Sequence, residues 1–266
     1  SDACFRFAVD HLQADAGIRV TGDGHPGSWI GLDAVAGRGR PLSRTAGLEA
    51  WEHAADTGHP RPTRKAGHRR AFQATEVYEA TLKRHLLASR PLDICLVAPE
   101  GTQRDSLERL LEPLPWNLVG QQAPDTHSLC RRERVAELTS QHQADLGIAW
   151  DHDRERAWFC DETGTPIDPL RLFVLLATRI LALHPGRTVV LAAASPDPLA
   201  STIRQLGGRP RSFTGSSRAH TWQAISDHDA VLGLDPHGTT WCSEHAPTHD
   251  PLLVVAHLLQ TLDRHD

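Results

Sequence analysis

The chain has 266 residues, of which 39% are hydrophobic and 23% are charged, as in ordinary folded proteins and unlike disordered ones. At roughly 100–200 residues per domain, this length allows one large domain or two to three small ones. The 28 basic and 33 acidic residues leave a net charge of −5, which argues against a general binder of nucleic acids or anionic membranes. The composition therefore predicts a globular protein without a nucleic-acid partner.

The cysteine content and the apolar runs bear on location. The five cysteines form no C-x-x-C pair, so a disulfide framework is not indicated and we expect a cytoplasmic protein. The longest apolar stretch, Leu170 to Leu183, contains Arg171 and Arg179 and is shorter than the roughly 20 residues of a membrane helix. We expect no membrane span and no signal peptide. The Ser1 start and the absence of methionine suggest a processed or excised segment of a longer protein.

The N-terminal part is predicted to be an incomplete unit followed by a linker. A helical pattern starts at Phe5, and residues 18–20 form a short apolar strand ahead of a glycine-rich loop. Residues 37–70 are rich in Gly, Pro, Arg and His, with one short helical pattern, as in a linker. A single strand cannot bury a core, so we expect residues 1–67 to lean on the domain that follows.

Beyond the linker, apolar strands alternate with amphipathic helices, which indicates an α/β layer with crossover connections. No repeat of about 20–50 residues is apparent. The predicted strands cover residues 92–97, 116–119, 144–150, 157–160, 188–194 and 230–234. The predicted helices cover residues 75–89, 107–111, 135–141, 169–183, 198–206 and 251–262.

The sharpest chemical feature is an acidic loop after a buried strand. Asp151, Asp153 and Glu155 stand at i, i+2 and i+4, a spacing that can aim three carboxylates at one point. Hard divalent cations such as Mg²⁺ require oxygen ligands of this kind. On spacing alone, the favoured alternative is a solvated acidic turn neutralised by Arg154 and Arg156.

Three motifs carry a family resemblance. The segment ADLGIAWDHDRERAWFCDETG (144–164) resembles the metal-binding loop of the α-D-phosphohexomutase superfamily, which includes the phosphomannomutases and phosphoglucomutases. HLQADAGIRVTGDGHP (11–26) is similar to that family's helix, strand and catalytic serine loop, and AVLGLDPHG (230–238) is similar to its sugar-recognition loop. The resemblance implies consecutive phosphohexomutase-type α/β domains with mixed sheets flanked by helices.

The resemblance also implies a domain layout. Residues 1–67 would be a remnant of the family's first domain with a linker, residues 68–165 its second domain, and residues 166–266 its third. The fourth domain, whose loop grips the substrate phosphate in the family, has no counterpart here.

The serine loop departs from the family pattern at its reactive position. The family's serine carries a phosphoryl group, whereas the matching residue here is Asp23, which has no hydroxyl. A carboxylate can accept a phosphoryl group in other enzymes, so an aspartyl phosphate is one alternative. The favoured alternative is that Asp23 mimics a permanently charged phosphoserine or caps a turn.

The metal loop is altered less. The resemblance implies that Asp151, Asp153 and Glu155 are the metal ligands, with Asp23 close enough to contribute. Arg154 places a positive charge beside them. We therefore expect Mg²⁺ as the cofactor, bound weakly.

The resemblance assigns the remaining site residues to catalysis and to sugar binding. Arg156 keeps the family's arginine next to the metal loop, and Asp235 and His237 stand where the family binds the hexose hydroxyls. Shortening a glutamate to Asp235 withdraws the carboxylate by about one methylene, and sites built for hydroxyl groups discriminate on such contacts. We expect poor recognition of a hexose phosphate.

Other residues with functional side chains also have a structural interpretation. Cys242, His245 and His249 have the C-x2-H-x3-H spacing of a zinc site, but dispersed surface histidines are the favoured interpretation. Cys160 is predicted to be a core thiol. His220 lies near the place of a catalytic lysine or histidine in the family, in an uncertain register.

Three functions follow from these observations. The leading hypothesis is a degenerate phosphohexomutase homologue without mutase activity, with a scaffold, binding or regulatory role in sugar-phosphate or polysaccharide metabolism and with a protein partner. The second is an active phosphomannomutase or phosphoglucomutase completed by missing chain segments or a partner subunit. The third is a metal-dependent hydrolase that uses the acidic loop. Asp23 separates the first two, because no additional segment restores the serine.

Overall fold

A computed structural model describes residues 1–21, 30–44, 47–58, 67–87, 90–98, 102–122, 128–150 and 156–264. These residues form three β-sheets with helices packed around them. The predicted α/β class with mixed sheets is therefore confirmed. No helix in these ranges combines the length and the apolar character needed to cross a membrane.

The first sheet is small and antiparallel. Its strands follow the order β1-β2-β3, and Ile18, Val20 and Leu32 lie exposed on one of its faces. Helix α2 follows the sheet and buries no residue. The elements are α1 (Asp2–His11), β1 (Ala16–Thr21), β2 (Gly31–Ala36), β3 (Arg40–Pro41) and α2 (Leu48–Thr57).

The second sheet has four strands in the order β5-β4-β6-β7. Strand β4 runs parallel to both β5 and β6, while β7 pairs antiparallel to β6. Helix α3 precedes this sheet and ends in a 3₁₀ turn over Lys83–His85. The elements are α3 (Ala74–Leu82), β4 (Leu92–Val97), α4 (Thr102–Leu111), β5 (Trp116–Gln122), α5 (Ser128–His142), β6 (Leu146–Trp150) and β7 (Ala157–Cys160).

The third sheet repeats this arrangement, with the order β9-β8-β10-β11. Strand β8 is parallel to β9 and β10, and β11 is antiparallel to β10. Its elements are α6 (Pro169–Leu183), β8 (Thr188–Ala192), α7 (Asp197–Gln205), β9 (Arg209–Phe213), α8 (Arg218–Asp227), β10 (Ala230–Leu234), β11 (Thr240–Cys242) and α9 (Pro251–Arg264).

Helix α9 packs against elements that flank the second and the third sheet. Its residues 251–261 are all buried, and it packs on α6, on α3 and on the 3₁₀ turn that follows α3. Phe7 of α1 contacts both Tyr78 of α3 and His245, which precedes α9. The N-terminal segment thus leans on elements from both sides of the predicted boundary at residue 165. The two domain boundaries, after residues 67 and 165, stay a prediction.

Some elements differ from the sequence-based expectation. Helices α4 and α5 begin earlier than their apolar patterns, at Thr102 and Ser128. The sequence pattern did not predict β2, β9, β11 or α8. Strand β9 has the sequence RPRSF and an exposed burial pattern, so the apolar alternation that predicts a strand is absent. Strand β11 has only three residues.

Candidate active-site cleft

All three sheets end in an antiparallel hairpin, and the candidate site residues lie on those hairpin connections. Residues 22–30 join β1 to β2, residues 151–156 join β6 to β7, and residues 235–239 join β10 to β11. The three motifs, far apart in sequence, therefore stand at the same kind of strand connection in the three sheets. Among the sequence-predicted residues, those outside the described ranges are Asp23, Asp151, Asp153 and Glu155.

A cleft of about 290 Å³ lies between the second and third sheets. Its polar rim combines Arg132 and Arg156 from one side with His237, Thr239 and His249 from the other. Its floor is apolar and is formed by Phe159, Ile167, Leu172 and Val254. The structure therefore brings Arg156 and His237 to one cleft, while the roles that the resemblance assigns to them stay a prediction.

The loop between β10 and β11 is shaped by Asp235. Its Oδ1 accepts hydrogen bonds from the backbone N–H groups of His237 and Thr239, each at 2.8 Å, and its Oδ2 accepts one from Trp241 Nε1 at 3.2 Å. Gly238 completes the turn with φ +75°, a conformation that favours glycine. Asp235 is 8% exposed, so its carboxylate chiefly holds the loop. The exposed side chain of the loop is His237.

Arginines line the opposite rim. The guanidinium of Arg132 lies 4.1 Å from the ring centre of Trp158, a cation–π contact that fixes a cation at the mouth of the cleft. Arg156 is exposed and directly precedes β7. The neighbouring Arg131 is fully buried, and its Nη1 donates to the Trp150 carbonyl at 2.9 Å. Arg131 thereby orders the end of β6 immediately before the acidic loop.

His249 faces the cleft from the end of the segment before α9. Its Nδ1 lies 2.8 Å from the carbonyl oxygen of Thr240. A carbonyl only accepts, so Nδ1 carries the proton and the lone pair of the neutral ring is on Nε2. Sequence analysis singled out His249 only as a zinc ligand and missed Arg132 altogether, since nothing in the local sequence of α5 marks Arg132 as a cleft residue.

Comparison with known proteins shows which proteins the chain is similar to. No family model matches the chain. A phosphohexose mutase of Xanthomonas campestris pv. campestris is 28% identical over 279 residues, which cover 97% of this chain and 61% of that protein. A phosphomannomutase of Salmonella typhimurium is 27% identical over 85% of this chain and 54% of its own length. The chain is therefore similar, over most of its length, to proteins named phosphohexose mutase and phosphomannomutase.

Comparison with solved structures shows a similar fold. A phosphoglucomutase/phosphomannomutase family protein from Burkholderia thailandensis superimposes with a TM-score of 0.79 at 22% identity, covering 94% of this chain and 56% of that one. A putative phosphomannomutase from Thermus thermophilus gives a TM-score of 0.76 at 17% identity, with coverages of 98% and 62%. The chain thus spans about 60% of the length of these phosphohexomutase relatives.

The remaining sequence candidates that the structure describes have structural roles. Cys160 is 2% exposed, and its thiol lies 3.4 Å from Thr139 Oγ1, which confirms the predicted core thiol. Burial raises the pKa of Cys160, so the group stays an unreactive thiol. His220 Nδ1 lies 2.7 Å from Ser217 Oγ in a capping box at the start of α8. All four described cysteines are free thiols.

The C-x2-H-x3-H segment does not form a zinc site in the described structure. Cys242 is buried, His245 packs edge-on to Phe7, and His249 bonds to the Thr240 carbonyl. Within the described ranges, the cluster of metal-ligating side chains is a different one, formed by His85, Glu244 and His257.

Proposed function

We propose that this chain is a phosphohexomutase homologue that binds a phosphorylated sugar or a related anion in the cleft without interconverting its phosphate esters. The observation that carries the proposal is the cleft itself, in which Arg132 and Arg156 face His237 across an apolar floor. Guanidinium groups suit phosphate recognition, because their planar donors pair with two phosphate oxygens. The floor suits the carbon face of a sugar ring.

The chemistry at position 23 supports the absence of mutase activity. Transfer of a phosphoryl group requires a nucleophile that can carry it and return it. Asp23 stands where the family has its serine and offers no hydroxyl. In the favoured role, the Asp23 carboxylate supplies a permanent negative charge, so no phosphoryl group is exchanged.

Mg²⁺ remains the proposed cofactor for the acidic loop. The donor set of Asp151, Asp153 and Glu155 consists of carboxylate oxygens, which fit a hard divalent cation. The ion would supply electrostatic stabilisation of a bound phosphate. Arg154 and Arg156 would compete with the ion for the same carboxylates, so we expect weak binding.

The activity test compares wild type with Asp23→Ala. We expect neither protein to interconvert glucose 1-phosphate and glucose 6-phosphate, or the two mannose phosphates, with Mg²⁺ and a hexose bisphosphate present. Turnover in wild type that disappears in Asp23→Ala would instead establish an active mutase.

The binding test measures glucose 1-phosphate and mannose 1-phosphate by calorimetric titration. We expect Arg156→Gln to weaken binding about tenfold, because it removes a charge-assisted hydrogen bond of about 1.5 kcal/mol. Arg204→Gln is the matched control, since Arg204 is an exposed arginine on α7 outside the cleft. Equal affinities of wild type and Arg156→Gln would contradict the proposed site.

A further inference from the structure

A second cluster of chemically active side chains lies away from the cleft. His85 ends the 3₁₀ turn after α3, Glu244 lies in the segment after β11, and His257 is in the middle of α9. His85 Nε2 is 2.5 Å from one Glu244 oxygen, and His257 Nε2 is 2.8 Å from the other. The three donor atoms lie within 4.8 Å of one another. Three separate segments of the chain therefore converge on one carboxylate.

We propose that His85, Glu244 and His257 form a binding site for a divalent transition metal of the Zn²⁺ class. Two imidazole nitrogens and one carboxylate oxygen are a donor set that zinc takes when three protein ligands leave a fourth position open. Nitrogen donors disfavour Mg²⁺ and Ca²⁺, which prefer oxygen ligands. The site is therefore distinct in its chemistry from the acidic loop at residues 151–155.

The surroundings provide access and an open coordination position. The three side chains line one end of a cavity of about 390 Å³, together with His184 and His245. The His257 side chain is 2% exposed, whereas those of His85 and Glu244 are 23% and 29% exposed. An ion and a water molecule can therefore enter from the cavity, while His257 holds the inner side of the site.

Three contacts must change when the metal binds, namely the two histidine–Glu244 hydrogen bonds and the contact of Arg179 with His257. Arg179 Nε donates to His257 Nδ1 at 3.4 Å, which places the ring proton on Nε2. A metal on Nε2 requires that this proton moves to Nδ1, so the long Arg179 contact is lost. Arg179 retains its stronger hydrogen bond to Gln260 Oε1 at 2.7 Å. His85 Nε2, which donates to the other Glu244 oxygen, must likewise release its proton or carry it on Nδ1. The rearrangement therefore involves the ring protons of both histidines and the Arg179 contact.

Zinc binding should also strengthen the packing between the units, because its ligands come from three elements that meet only in the folded chain. A ligand that binds only the folded state raises the unfolding temperature by mass action. The acidic loop contains none of these three ligands. Substitutions in the cluster and in the loop therefore show which of the two sites binds the zinc.

The experiment titrates the full chain, stripped with a chelator, with Zn²⁺ alone in a calorimeter. We expect one zinc ion per chain, with affinity at least about tenfold weaker in His85→Gln and in Glu244→Gln. His184→Gln, which lines the same cavity outside the cluster, and Asp153→Ala in the acidic loop serve as controls and should bind as wild type does. Circular dichroism establishes that each variant is folded.

Co²⁺ provides a spectroscopic readout of the ligands. We expect visible absorption bands of a low-coordinate Co²⁺ in wild type and their loss in Glu244→Gln. The proposal is overturned if wild type binds no zinc, or if His85→Gln and Glu244→Gln bind it as tightly as wild type. Loss of the zinc in Asp153→Ala alone would place the ion in the acidic loop and would equally overturn it.

Discussion

The second and third sheets share a strand order, and part of that repetition is visible in the sequence. FCDETGTPIDPL at 159–170 and WCSEHAPTHDPL at 241–252 follow the third-to-fourth strand hairpin of each sheet. Both segments place a cysteine, a glutamate and an Asp-Pro-Leu helix start at the same positions. Both also form an isolated bridge after the cysteine, from Cys160 to Pro166 and from Cys242 to Thr248.

The two copies differ in what surrounds them. Asp168 caps α6 at the surface, whereas Asp250 caps α9 in the interior and also accepts the Tyr78 hydroxyl at 2.8 Å. Glu162 is exposed, whereas the carboxylate of Glu244 accepts hydrogen bonds from two histidines, His85 and His257. The same local motif therefore makes a surface turn in one unit and an interior polar network in the other, because α9 is enclosed by neighbouring elements.

The largest expected effect on stability is at position 164, where segment 159–170 has a glycine with positive φ and segment 241–252 has an alanine. Gly164 has φ +81°, and an added Cβ would lie 2.6 Å from the Ala136 carbonyl oxygen. Its counterpart in the third unit is Ala246, which is already buried. We expect Gly164→Ala to lower the free energy of unfolding by about 3 kcal/mol through backbone strain and overpacking.

Ala246→Gly is the matched control. It should lower the free energy of unfolding by about 1 kcal/mol, since it removes one buried methyl group. Chemical denaturation measures both variants. Equal effects at the two positions would mean that the turns are structurally equivalent after all.

The helix caps test the difference in burial. At pH 5 we expect Asp250→Ala to lower the free energy of unfolding by about 2–3 kcal/mol, because it removes a cap and leaves the buried Tyr78 hydroxyl without its acceptor. Asp168→Ala removes only an exposed cap and should cost about 1 kcal/mol. Urea unfolding of both variants decides the matter, and a larger loss in Asp168→Ala would reverse the comparison.

The smallest predicted effect is a pH dependence confined to the buried cap. Burial raises the pKa of Asp250 from 3.8 to about 6 despite the Tyr78 hydrogen bond, so the folded state keeps a proton that the unfolded chain has lost. Stability should fall as the pH rises from about 4 to about 6, and this group adds no further change above that range.

Among the groups that face Asp250, Tyr78, Cys4 and Cys242 stay protonated in this range because burial raises the pKa of each. Glu244 stays ionised, with a pKa of about 2. Between pH 4.5 and 7.5, wild type should lose about 2 kcal/mol of stability relative to Asp250→Asn, measured by urea unfolding. A constant difference between the two proteins would show that Asp250 titrates normally.

The parts of the fold that could be predicted from sequence are those with a strong local signal. Strands β4, β6, β8 and β10 are buried apolar runs, and their positions match the predictions closely. Strand β9 lies at the edge of its sheet beside β8, so its polar residues carry no such signal. The repeat is hard to detect in the sequence because few of its positions are identical.

The candidate sites show the same limit. The motif resemblance placed Arg156 and His237 in loops that do meet at one cleft. It could not show that Asp235 uses its carboxylate to hold its own loop, since that depends on the backbone turn and on Trp241. The cluster of His85, Glu244 and His257 had no sequence signal at all, because its members meet only through tertiary packing.

The enclosure of α9 also has a consequence for how the chain is made. Tyr78 and Arg90 form hydrogen bonds with Asp250 and Asp263, respectively. These partners are synthesised more than 170 residues later, so the bonds cannot form until then. At about 5–20 residues per second, this delay is roughly 10 to 30 seconds. During that time the apolar side of α3 has no α9 to cover it. A nascent chain of this kind is a natural client for chaperones that shield apolar surface during translation.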